Sequence, residues 1–203
     1  MYNLVVPVIY HTKMWKKIRK IKFVLVVTLA IAFTAISTTI YPDMAVAAGF
    51  RSFVDTEDGY QFSYPNGWLQ VKVANGPDVV FHDLIEVSEN VSVVISPVPQ
   101  GKSLTELGTP TEVGYKLGKS ALAPEGSGRS AELVNVAQKE INGNNYYFLE
   151  YAVKLGNGQS RHNVASVAVS RGKLFTFNAS VPERRWRKLQ RTIDEVVSSF
   201  HVY

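Results

Sequence analysis

The chain has 203 residues, 22 Lys/Arg against 17 Asp/Glu, a formal charge of +5 and no Cys. The missing Cys excludes a disulfide framework, a thiol nucleophile, a Cys metal site and lipid attachment through an N-terminal Cys. The positive charge is no case for nucleic acid: residues 1–47 hold six of the basic side chains and one acid, so 16 bases and 16 acids cancel in the rest.

Lys13, Lys16, Lys17, Arg19, Lys20 and Lys22 open the chain's targeting pattern. Residues 23–40 follow without a charge, and Ala45-Val46-Ala47 offers small residues to a peptidase. This order of basic start, apolar middle and Ala-x-Ala site predicts a secretory signal peptide over residues 1–47. Met14 is an alternative start, just inside the basic run. An uncleaved anchor is the competing reading, since the apolar stretch approaches the roughly 20 residues of a membrane span. Residues 48–203 then form one domain, long enough to bury a real core.

Residues 50–54 alternate as a strand, and Asp58-Gly59 marks a hairpin before Tyr60, Phe62 and Tyr64. Those three aromatics share one face of the next strand, because strand side chains repeat every two residues. Pro65-Asn66-Gly67 breaks it, and residues 68–73 resume. After the turn at Asn75-Gly76-Pro77, residues 79–81 and 91–95 are two more strands. Between them lies the acidic connection His82-Asp83-Leu84-Ile85-Glu86-Val87-Ser88-Glu89-Asn90.

Ser103 with Glu106 predicts a capping box for a short helix. Pro110-Thr111-Glu112 starts a second, with Val113, Leu117 and Leu122 inward and Gly114 and Gly118 weakening it. Residues 133–141, 146–153, 164–169 and 174–179 predict an antiparallel meander, jointed by turn residues. Ser180, Pro182 and Glu183 predict the start of a long C-terminal helix. Trp186, Leu189, Ile193, Val196, Val197 and Phe200 form its apolar stripe, with Arg184, Arg185, Arg187, Lys188 and Arg191 opposite. The fold class is α+β, with an antiparallel sheet, the long helix on one face and short helices elsewhere.

Enzyme signatures are missing: there is no Gly-rich phosphate loop, Gly-x-Ser-x-Gly elbow or His-Glu-x-x-His. A Ser/His/Asp triad assembled only in space stays open on residue counts. Asp83, Glu86 and Glu89 are candidate metal contacts, suited by their oxygens to Ca2+ and, with His82 beside them, to Zn2+ or Mn2+. A solvated loop is the plainer reading. The basic face carrying Arg184 and Arg185 is either solvated or docks an acidic partner surface.

Gly59-Tyr60-Gln61-Phe62-Ser63-Tyr64-Pro65-Asn66-Gly67-Trp68 resembles the GY-x-F-x-YP-x-GW opening of PsbP-type proteins. Blocks at residues 78–83, 89–93, 108–113 and 179–186 agree in order, and the segment 146–151 and Arg161-His162 sit where that family has similar ones. The resemblance implies an α-β-α sandwich with a central antiparallel sheet and a long C-terminal helix. It implies a non-catalytic extrinsic protein in the thylakoid lumen, docked on photosystem II, where the plant members help retain Ca2+ and Cl− at the oxygen-evolving centre. The plain bacterial-style signal resembles the cyanobacterial branch, which is associated with photosystem II assembly intermediates near the D2 side. It also marks Arg161 and His162 as partner contacts, with Arg161→Ala plus His162→Ala expected to weaken docking at unchanged melting temperature. In one departure, that branch carries a lipidated Cys that this chain lacks. Its membrane hold is then through protein contacts, through a retained signal segment, or absent. A soluble lumenal or periplasmic metal-binding carrier is the alternative function.

Overall fold

The computed structural model describes residues 49–203 apart from Asn75 and Gln100. The expected signal segment, residues 1–47 with Met14 as its alternative start, lies outside the described residues. Among the described residues no helix is long and apolar enough to cross a membrane.

β1 (Phe50–Asp55) and β2 (Tyr60–Pro65) form the predicted hairpin, paired Asp55 to Tyr60 and Phe50 to Pro65. Asp55 Oδ1 accepts the N–H groups of Glu57 and Asp58 at 2.9 and 2.8 Å, which closes the turn. Gly59 ends it at φ +78°, and a Cβ there would come within 2.8 Å of the Tyr203 carbonyl. A terminal strand, β10 (His201–Val202), pairs with β2 to complete a three-stranded sheet that the sequence reading did not contain.

The main sheet has seven antiparallel strands. They are β3 (Trp68–Val71), β4 (Val79–Asp83), β5 (Asn90–Pro97), β6 (Ser130–Ile141), β7 (Asn144–Lys154), β8 (Ser160–Ser170) and β9 (Lys173–Pro182). Their order is β3-β4-β5-β9-β8-β7-β6, so the predicted meander β6 to β9 folds back and hydrogen-bonds to β5. The sheet is covered on both faces, and strand alternation divides each long strand between two cores. On β8, Val164 and Ala168 join one core while Ala165 and Val167 join the other.

α3 (Glu183–Ser198) covers the first face, burying Ile193, Val196 and Val197. Tyr60, Phe62 and Tyr64 pack beside it against Phe81, Phe175, Phe177 and Phe200, all buried. Each such side chain contributes about 1.5–3 kcal/mol by leaving water, so this aromatic cluster replaces the missing disulfides as the fold's main tie.

α1 (Leu104–Leu107) and α2 (Pro110–Leu117) cover the other face over β6 and β7, and a π-helical turn at Gly118–Leu122 extends α2. Both capping boxes form. The Glu106 carboxylate accepts the Ser103 N–H, and that of Glu112 accepts the Thr109 N–H, each at 2.8 Å. Buried sheet tyrosines hold the backbone: Tyr147 Oη donates to the Gly108 carbonyl at 2.9 Å and Tyr151 Oη to that of Gly114 at 2.8 Å. Gly114, read as a weak point, is a contact point, since a Cβ there would lie 2.8 Å from Leu133.

The helix start is also corrected. Ser180 is not the cap of α3, because β9 continues through Pro182, which pairs with Arg161 of β8. Strand pairing keeps Ser180 in the sheet, where its hydroxyl donates to Asn163 Oδ1 at 3.1 Å.

Candidate interaction site

The residues singled out in the sequence meet at one end of the sheet, where the 84–89 loop between β4 and β5 lies beside the first turn of α3. The loop is shaped from within by its own short-range bonds. Asp83 Oδ1 accepts the N–H groups of Ile85 and Glu86 at 2.9 and 2.6 Å, an Asx-type turn. The Glu89 N–H reaches the Glu86 carbonyl at 2.8 Å, and the Asp83 N–H reaches the Glu89 carbonyl at 2.9 Å. The Ser88 hydroxyl donates to Glu86 at 2.5 Å.

Three arginines then hold the loop from outside. Arg184 donates to Glu86 at 3.2 Å, and Arg185 faces Glu89 in an ion pair. Both come from α3, on one face of the sheet. Arg161 comes from the opposite face: its Nη2 donates to the Ser88 carbonyl and its Nε to Ser180 Oγ at 2.9 Å. Ser180, Asn163 and Asn178 continue this polar chain across β8 and β9.

His162 points the other way, into the α3 face. Its Nε2 lies 2.8 Å from Glu150 and its Nδ1 3.1 Å from Glu183. The ring stacks on Trp186 at 3.8 Å and 8°. His162 thus ties β7, β8 and the first turn of α3 together. Arg161 and His162 are neighbours on a strand, so they face opposite sides of the sheet, and His162 is 7% exposed. The two do not form a joint contact surface.

The charges follow from this geometry. Burial lowers the pKa of the Arg161 guanidinium, opposed by Glu86 and Glu89. Burial raises that of Glu89, 3% exposed, despite Arg185. Glu86 is lowered, first by the Ser88 hydroxyl and then by Arg184.

These partners change the reading of the acidic loop. Asp83 is engaged by backbone, Glu86 by Ser88 and Arg184, and Glu89 by Arg185, so the three are not a convergent ligand set. Among the described residues the only carboxylate triad within 4.8 Å is Asp55, Asp58 and Asp78, which the sequence reading missed. These too have partners: Lys173 bonds Asp58 at 2.6 Å, and the Tyr60 hydroxyl donates to Asp78. Among the described residues no His ring nitrogen is bonded to a serine hydroxyl; His82 Nδ1 meets the Asp83 carbonyl at 2.8 Å.

The bonded ends of the loop contrast with its tip. Leu84, Ile85 and Val87 are 61, 93 and 63% exposed. A separate cleft of about 410 Å³ lies on the α2 face, between Leu117 and Leu122 and the polar floor of Ser92, Thr176 and Asn178.

A seven-stranded antiparallel sheet between a long C-terminal helix and two short ones, with a braced loop at one end, defines an α+β sandwich. The chain belongs to the PsbP family, whose profile matches residues 48–202. It is 48% identical over 173 residues to CyanoP of Thermosynechococcus vestitus, covering 83% of this chain and 94% of that protein. It is 32% identical over 182 residues to the chloroplastic PsbP-like protein 1 of Arabidopsis thaliana, covering 88% and 77%. The solution structure of CyanoP from Synechocystis sp. shares the fold at a TM-score of 0.67 and 46% identity, covering 82% of this chain and 99% of that one. The α+β expectation therefore holds.

Proposed function

We propose that this protein is a non-catalytic extrinsic protein of photosystem II, on the lumenal side and peripheral to the thylakoid membrane, where it assists assembly or stabilisation of the complex. The observation that carries this reading is the family match over the whole described domain, residues 48–202, with CyanoP relatives aligned along almost their full length. The site agrees with it in kind. Its ionisable groups are engaged with one another and stiffen a surface loop, which suits a docking module.

A tagged pull-down from mildly solubilised thylakoids, with mass spectrometry of the partners, tests the proposal. Photosystem II core subunits, enriched in intermediates without the manganese cluster, are the expected recovery. Recovery of no photosystem II subunit refutes it and returns the soluble carrier reading, for which Asp55, Asp58 and Asp78 are the residues to examine.

A further inference from the structure

We infer that the tip of the 84–89 loop is a preformed knob that docks into an apolar pocket with an acidic rim on a partner protein. This deepens the photosystem II reading and assigns the contact to residues other than the Arg161-His162 pair. Three aliphatic side chains within four residues stand in water, with Ile85 at 93% exposed. Apolar groups left that exposed in one cluster mark an interaction site.

The loop that carries them is held by the Asp83 turn and by arginines from both faces of the sheet. A rigid knob loses little freedom when it seats in a shaped pocket. A fluid bilayer gains nothing from such a fixed shape, and Glu86, between Ile85 and Val87, opposes insertion into an anionic membrane. The arrangement of an apolar centre within a paired polar ring, Glu86 with Arg184 and Glu89 with Arg185, is the layout of a protein interface.

Charge identifies the partner's rim. Glu86 and Glu89 have cationic partners within the chain, Glu183 faces His162, and, among the described residues, Asp83 accepts only the Ile85 and Glu86 N–H groups. Arg187, Lys188 and Arg191 of α3 are exposed and make no ion pair among the described residues. Arg184, Lys188 and Arg191 fall along one side of the helix, at spacings of four and three residues, leading away from the knob. Glu195 closes that stripe at its far end. Arg187, Lys188 and Arg191 outnumber Asp83, so the unpaired charge around the knob is net positive, and acidic side chains on the partner complement it.

The test places a photo-cross-linking benzoylphenylalanine at Val87, or at Glu140 on β6 at the far sheet edge as control, in the full chain expressed in its native host. The expected result is one cross-linked protein from position 87 and none from 140, with the joined peptide at an apolar surface flanked by Asp or Glu. Ile85→Ser, or Lys188→Glu with Arg191→Glu, should lower the yield about tenfold or more, with unchanged melting of the purified protein. A photosystem II core subunit as the joined protein supports both the knob and the proposed function. Another protein with such a pocket supports the knob and refutes the photosystem II reading. Adducts to lipid alone, equal yields from both positions, or no adduct from position 87 overturn the knob.

Discussion

His162 shows how one side chain can look like a functional residue and act as a joint. Two carboxylates and the Trp186 ring enclose it, Glu150 from β7 and Glu183 and Trp186 from the first turn of α3. That Arg161 and His162 diverge was legible in principle, because adjacent strand residues face opposite sides. The partners were not legible: Glu150 and Glu183 are charged residues like many others until β7, β8 and α3 are in register. The capping boxes were fully legible, since both partners lie within three residues, and they give a pH prediction. Glu112 is held below its ordinary pKa by the Thr109 N–H and hydroxyl, and Glu106 by the corresponding groups of Ser103. A lowered folded-state value means that their stabilisation is present above the unfolded glutamate pKa and is lost as pH falls through the folded one. Glu112→Gln should therefore lower the melting temperature at pH 7, by a deficit that shrinks as the pH falls below the unfolded glutamate pKa, as read by circular dichroism across an acid pH series. Glu89 has the opposite sign. Its raised value makes its contribution largest in acid and reduces it as pH rises past the folded value.

At the level of elements, strands and helices were readable wherever period and turn chemistry acted locally. Tyr60, Phe62 and Tyr64 announced a buried strand face, and the α3 stripe announced its packing. Ser180 misled, because a serine before Pro and Glu is a local helix signal, while strand pairing to β8 is not local. Arg161 likewise acts across elements: it spans from β8 to the Ser88 carbonyl of the loop and the Ser180 hydroxyl of β9. Its removal leaves that carbonyl and that hydroxyl without a charged donor. Arg161→Ala should cost about 1–3 kcal/mol, roughly 3–10 °C in melting temperature for a domain of this size. The structure thus reverses the expectation that changing Arg161 and His162 leaves the melting temperature unchanged. Amide hydrogen exchange at Ile85, Glu86 and Glu89 should accelerate together in this variant. Unaltered melting and exchange would show that the loop holds its shape without Arg161.

At the scale of the described domain, the seven-stranded sheet is a plate with α3 and the small sheet on one face and α1 and α2 on the other. Ion pairs between residues about a hundred positions apart, Arg184 with Glu86 and Arg185 with Glu89, converge at one end of that plate and display a short apolar loop. The sequence showed the acidic loop and the basic helix separately. Their pairing, which braces the loop, depends on the β4 to β5 turn lying against α3. Family membership extends over residues 48–202. The most direct measurement is a native gel of solubilised thylakoids, resolved in a second denaturing dimension and probed for this protein. Co-migration with photosystem II assembly intermediates is the expected result. Migration wholly at the position of the free protein, in membranes rich in those intermediates, would contradict it.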